Sequence, residues 1–169
     1  TPTAGDLLIT EIMRDPQTIS DYDGEWFEIL NISGHTLDIQ GLTVRDAGSN
    51  TFTLPTGSPI LIDDGLYFVM GRKGDTATNG GVEMDYVYGS QMMLGNDEDE
   101  IILEYNATVI DQVYFADTTF PDIAGASMTL DASHFDVTAN DDGANWCGLS
   151  TLYTTDNYGT PGAANDPCP

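Results

Sequence analysis

The chain has 169 residues, which fits one ordinary domain with a sizeable core. Its 28 Asp and Glu against 4 Lys and Arg give a formal net charge of −24, which repels phosphate backbones and anionic membranes and excludes nucleic acid as a partner. A hydrophobic content of 40% with 18 Gly and 8 Pro is more than a disordered acidic tail carries, so a folded, turn-rich protein is expected. No apolar run reaches the roughly 18 residues of a bilayer span, so direct membrane insertion is not expected. The first residues show no signal-peptide pattern, and without an initiating Met the chain is expected to be a mature product or a piece of something longer.

In chain order the apolar residues favour a period of two, the pattern of half-buried strands. Strands are predicted at 7–13, 25–31, 36–44, 51–54, 59–62, 66–71, 85–88, 100–105, 108–115 and 127–130. Between them, Asn31-Ile32-Ser33-Gly34, Asp63-Asp64-Gly65, Gly71-Arg72-Lys73-Gly74-Asp75 and Asn96-Asp97-Glu98-Asp99 carry the Gly, Asn and Asp that tight turns need. No segment reads as an amphipathic helix. Many short strands with frequent turns predict an all-β antiparallel sandwich, because a single sheet would leave its apolar face wet. From Asp131 onward alternation disappears, so residues 131–169 are expected to be an irregular, loop-rich tail packed on a single domain spanning 1–169, anchored by Trp146, Tyr153 and Tyr158.

Both cysteines, Cys147 and Cys168, fall in this tail. One disulfide in an oxidising compartment would close it and stabilise the fold by about 3 kcal/mol; the alternative is two free thiols in a reducing one. Asp21-Tyr22-Asp23-Gly24-Glu25 sets Asp21, Asp23 and Glu25 two residues apart around a glycine, an oxygen-rich loop of the kind Ca2+ prefers. The competing reading is a solvated acidic hairpin loop. Asn96, Asp97 and Asp99 form a second candidate and Asp141-Asp142 a third, each also readable as local turn chemistry. Repulsion among so many carboxylates would be offset by calcium or by a saline setting.

Glu11 and Glu28 sit on strands among apolar residues, where an acid and a base roughly 5 to 10 Å apart could cleave a glycoside. A structural role as acceptors for backbone or loop donors fits better, since a sandwich has no deep cleft unless loops build one. Ser133-His134 lacks a nucleophile-elbow context, the two histidines and two cysteines lack zinc spacing, and Lys73 stands outside any phosphate-binding loop. The aromatics Tyr22, Trp26, Tyr67, Tyr86, Tyr88, Tyr105, Tyr114 and Trp146 divide between core packing and a sugar-stacking platform. Asn31-Ile32-Ser33 and Asn106-Ala107-Thr108 match the glycosylation acceptor pattern, which chance also produces.

The order of segments carries more. Leu8-Ile9-Thr10-Glu11-Ile12-Met13, Glu25-Trp26-Phe27-Glu28-Ile29-Leu30-Asn31, Leu37-Asp38-Ile39-Gln40-Gly41-Leu42-Thr43-Val44 and Phe52-Thr53-Leu54-Pro55 come first. Gly65-Leu66-Tyr67-Phe68-Val69, Val109-Ile110-Asp111-Gln112-Val113, Gly125-Ala126-Ser127-Met128 and Gly159-Thr160-Pro161-Gly162 follow. The ordered set resembles the lamin tail domain family. That resemblance implies an immunoglobulin-like β-sandwich, found at the end of nuclear lamins and as a module of secreted or surface proteins, with no activity common to the family. The sequence has no basic stretch for chromatin or nuclear import, and its Trp146-Cys147 pair and Gly-Thr-Pro-Gly close look more like the prokaryotic secreted versions. The expectation is a non-catalytic attachment or structural module at the cell surface or outside the cell. Its partners would be a protein or glycan surface ligand and the other domains of a parent protein, with Ca2+ as a structural ion. The alternative is a small extracellular hydrolase, or its accessory domain, acting through acidic residues.

Overall fold

The period-two segments pair into two facing sheets in the computed structural model, which describes residues 1–169. The strands are β1 (Leu7–Met13), β2 (Trp26–Asn31), β3 (Leu37–Asp38), β4 (Thr43–Arg45), β5 (Thr51–Thr53), β6 (Leu61–Ile62), β7 (Tyr67–Gly71) and β8 (Tyr86–Val87). They continue with β9 (Glu98–Tyr105), β10 (Thr108–Ala116), β11 (Met128–Leu130), β12 (Trp146–Gly148), β13 (Leu152–Thr154) and β14 (Asn157–Tyr158). One sheet has the order β12-β11-β1-β2-β7-β8 and the other β10-β9-β4-β5, while β3-β6 and β13-β14 form small ribbons. All the pairings are antiparallel except β7 with β8. This is an all-β immunoglobulin-like sandwich.

Ile12, Phe27, Ile29 and Met70 of the larger sheet meet Val44, Ile101, Leu103, Val113 and Phe115 of the smaller one, all fully buried. Each such side chain contributes about 1.5–3 kcal/mol of transfer free energy. Phe52 stacks on Tyr86 at 5.5 Å and on Tyr88 at 4.9 Å between ring centroids, closing one end of the core. β1 and β2 are buried along their whole length because a second cover lies on the outer face of the larger sheet. There Met13, Trp26, Val69 and Val82 form a separate apolar cluster against Tyr153.

Three local features differ from the sequence expectation. The segment 36–44 is two strands, because the chain turns at Gly41 in the left-handed region (φ +78°), with Leu42 N–H donating to Ile39 O at 3.0 Å. The acidic stretch after Ser20 is one helical turn, α1 (Asp21–Gly24), in place of a hairpin loop. Ser20 caps it: its hydroxyl accepts from Asp23 N–H at 3.3 Å and its carbonyl from Gly24 N–H at 2.8 Å. A Cβ on Gly24 would meet Pro16 at 2.8 Å, so the turn packs on the preceding chain only with glycine there. The stretch after Asp131 is more regular than its composition suggests, since β12 extends the larger sheet and β13 and β14 form a ribbon. The expected disulfide joins Cys147 to Cys168 with a Cα–Cα separation of 5.8 Å. No helix is long and apolar enough to cross a membrane.

Candidate functional site

The register shift at Thr10 sets the acidic geometry of the larger sheet. A bulge between Ile9 and Glu11 brings Glu11 opposite Glu28 on β2, on the face away from the Ile12–Phe27 pair. Both glutamates are fully buried. One Glu11 oxygen accepts from Ser127 O–H and, at 2.8 Å, from Thr160 N–H; the other accepts from Thr160 O–H at 2.8 Å. Glu28 accepts from Thr10 O–H at 2.9 Å and from Gly162 N–H at 2.9 Å. The Gly-Thr-Pro-Gly segment is therefore clasped by two carboxyl groups of the central strands. The approach is tight, for a Cβ on Gly159 would lie 2.7 Å from a Glu11 oxygen.

Desolvation raises both carboxyls, and the neighbouring Glu11 pushes Glu28 further up, well above the usual range. More donors converge on Glu11 than on Glu28, which favours the charged form more strongly at Glu11. Asn165 adds a further tie, donating to Thr10 O at 3.0 Å and Leu130 O at 2.9 Å. Beside the clasp, Tyr67, Val69, Glu83, Asp85 and Tyr153 line a cleft of about 410 Å³.

The second acidic region lies at α1. Asp21, Glu25, Asn96 and Asp99 line one hollow of about 320 Å³, whereas Asp23 and Asp97 do not line it. Arg72, which sequence reasoning did not single out, enters the same hollow. Its guanidinium pairs with Glu25 at 3.1 Å, both residues being buried, and lies 4.9 Å over the Tyr22 ring. Burial raises the Glu25 carboxyl to about 7, against the lowering by Leu94 N–H and Arg72. Asp21 accepts from Asn96 at 3.3 Å, Asp23 accepts from Ser20 O–H at 2.9 Å and pairs with Lys73 at 3.7 Å, and Asp99 accepts from Gly95 N–H at 2.7 Å. Asp97 is exposed. No group of three or more His, Cys, Asp or Glu side chains is arranged to hold a metal. The three carboxylates read as one calcium loop turn to three different partners, and the hollow already holds a guanidinium.

Residues 1–117 match the family model of the Lamin Tail Domain. The chain belongs to the lamin tail domain family. A search of curated proteins gives no match. The lamin tail domain is a non-catalytic immunoglobulin-like module, and this one departs from acid–base geometry in a specific way. Glu11 and Glu28 are neighbours, as an acid and a base would be, but both are closed off from solvent. Ser133 and His134 form no charge-transfer chain either. Asp131 accepts from Ser133 N–H at 2.8 Å and from its hydroxyl as the cap of a short turn, with His134 Nδ1 3.1 Å from the serine oxygen, so the histidine is not held between acid and nucleophile. The acceptor pattern at Asn31 is buried, its amide donating to His35 O and Ile62 O, while Asn106 stands exposed in the β9–β10 turn. Asp141 and Asp142 lie on the outer face beside β10.

Proposed function

We propose that this lamin tail domain is a non-catalytic attachment module of a larger secreted or cell-surface protein, of the prokaryotic type. The observation that carries the reading is the sealed glutamate pair: both residues lie at 0% exposure with their oxygens taken by Thr10, Ser127 and the tail donors Thr160 and Gly162. A general acid or nucleophile must touch its substrate, and this pair touches only the protein. The Cys147–Cys168 bridge supports an oxidising compartment, and the anionic surface supports partners that are neutral or basic.

Two measurements test this reading. Incubation with a panel of oligosaccharides and esters should give no turnover, and removal of the domain from its parent protein should abolish retention of that protein on its surface. Turnover that disappears in Glu28→Gln with the fold intact, or full retention without the domain, would overturn it.

A further inference from the structure

The outer face of the smaller sheet presents Tyr114 and Gln112 to solvent, with the buried Ile102 beside them. Cross-strand register puts Tyr114 opposite Glu100 and Gln112 opposite Ile102 on this face, with Val113 and Ile101 turned to the core. Tyr114 is 58% exposed, the most open aromatic side chain of the molecule. It forms a shared wall between two depressions. One, of about 210 Å³, is lined by Ala47, Glu100, Ile102, Gln112 and Asp141. The other, of about 820 Å³, extends over Thr118, Phe120 and Asp142. Repulsion from Glu98, then desolvation, then Glu100 and Asp99 raise the Tyr114 phenol, the direction expected of a ring set among carboxylates.

The same molecule shows what such a ring accepts. Tyr22, beside Asp23 and Glu25, carries the Arg72 guanidinium 4.9 Å and the Lys73 ammonium 5.6 Å from its centroid. Tyr114 also lies beside carboxylates, Glu100 and Asp141, and has no cation over it. The chain has none to spare, because its four are paired: Arg14 with Asp122 at 3.0 Å, Arg45 with Glu104 at 3.1 Å, Arg72 with Glu25 at 3.1 Å and Lys73 with Asp23 at 3.7 Å.

We infer that the Tyr114 face docks a basic, extended segment of a partner protein, with an arginine stacked on the Tyr114 ring and its fork shared with Glu100 and Asp141. The inference rests on the attachment reading and gives it a partner class. Guanidinium suits the place better than ammonium, because it can lie flat on the ring while its N–H edge meets carboxylates. A neutral sugar would stack on the ring but leave the surrounding charge unanswered, and an acidic ligand would be repelled.

Titration of the 15N-labelled 169-residue chain with an acetylated, amidated Arg-Thr-Arg-Thr-Arg-Thr peptide tests this, with cellohexaose as the neutral probe. Shifts should concentrate at Gln112, Tyr114, Glu100 and Asp141. Tyr114→Ala should weaken peptide binding by about tenfold, Tyr114→Phe should restore it because the ring face remains, and Glu100→Gln should weaken it by about fivefold. Circular dichroism confirms that each variant is folded. Shifts spread evenly over the acidic loops and indifferent to Tyr114→Ala, shifts produced by cellohexaose alone, or no shift at millimolar peptide would each overturn the inference. If the parent protein carrying Tyr114→Ala is still retained on its surface, the docking face is wrong while attachment stands; catalytic turnover would instead defeat the attachment reading itself.

Discussion

The two outer faces of the sandwich handle their acids in opposite ways. On the larger sheet, Glu11 and Glu28 are buried and the donors that reach them are Thr10 on β1, Ser127 just before β11, and Thr160 and Gly162 of the tail folded across them. On the smaller sheet, Tyr114 and Gln112 face solvent, with Glu100 and Glu104 partly so. The same residue type is a clasp on one face and a field on the other. Burial decides which: a desolvated carboxyl must be protonated or saturated with donors, whereas an exposed one keeps its charge and acts at a distance.

The closed face should show the larger effects of substitution. Glu11→Ala strands the buried Ser127 hydroxyl and leaves both donors of the half-buried Thr160 without their acceptor, and should cost about 4 kcal/mol in urea denaturation. A loss under about 1 kcal/mol would mean that the clasp is slack. Replacing Cys147 and Cys168 by Ser removes a link across a sequence separation of 21 and should cost about 3 kcal/mol. Thr160 and Gly162 lie inside the loop that this bridge closes, so their amides should exchange faster in that variant.

Acidity separates the faces next. Glu11 and Glu28 are raised from 4.5, Glu25 from 4.5 to about 7 and Asp111 from 3.8 to about 7, all chiefly by desolvation. Between the unfolded and folded values of these groups the folded chain binds more protons than the unfolded one. The stability that Glu25 and Asp111 contribute is therefore fully present below about pH 4 and is lost as pH rises through about 7, and Glu11 and Glu28 act in the same direction. The midpoint of thermal unfolding should fall from pH 5 to pH 8. Glu28→Gln keeps a neutral group beside Glu11 and should flatten that slope, with equal or greater stability at pH 8; an unchanged slope would remove the pair from the account. The open face should respond least, with Tyr114→Ala changing folding stability by no more than about 0.5 kcal/mol because the ring is exposed.

Much of this architecture is legible in the sequence where alternation is strong. β1, β2, β7, β9 and β10 lie where apolar periodicity puts them, because each packs a face against the core. The break at Gly41 and the Ser20-capped turn were obscured by the same period, which does not register a left-handed glycine or a cap. β12, β13 and β14 were hidden because their partners, not their composition, make them strands: Thr129 opposite Cys147, and Leu152 opposite Tyr158.

The candidate site divides in the same manner. Glu11 and Glu28 stand out as charges among apolar residues, and the structural role preferred for them on sequence grounds is the one observed. Thr160 and Gly162 could not be matched to them, being 149 and 134 positions away. Arg72 escaped notice inside a turn, although a buried guanidinium needs charged or carbonyl acceptors, and this one finds Glu25.

Amide hydrogen exchange at Thr160 and Gly162 tests most directly whether the glutamate pair closes the outer face. Both amides donate to buried carboxyls at 2.8 and 2.9 Å, so they should exchange as slowly as the amides of β1 and β2, and that of Thr160 should quicken sharply in Glu11→Ala. Exchange at the rate of an exposed loop in the unaltered chain would contradict the account, because the carboxyls would then lie open to solvent and to substrate.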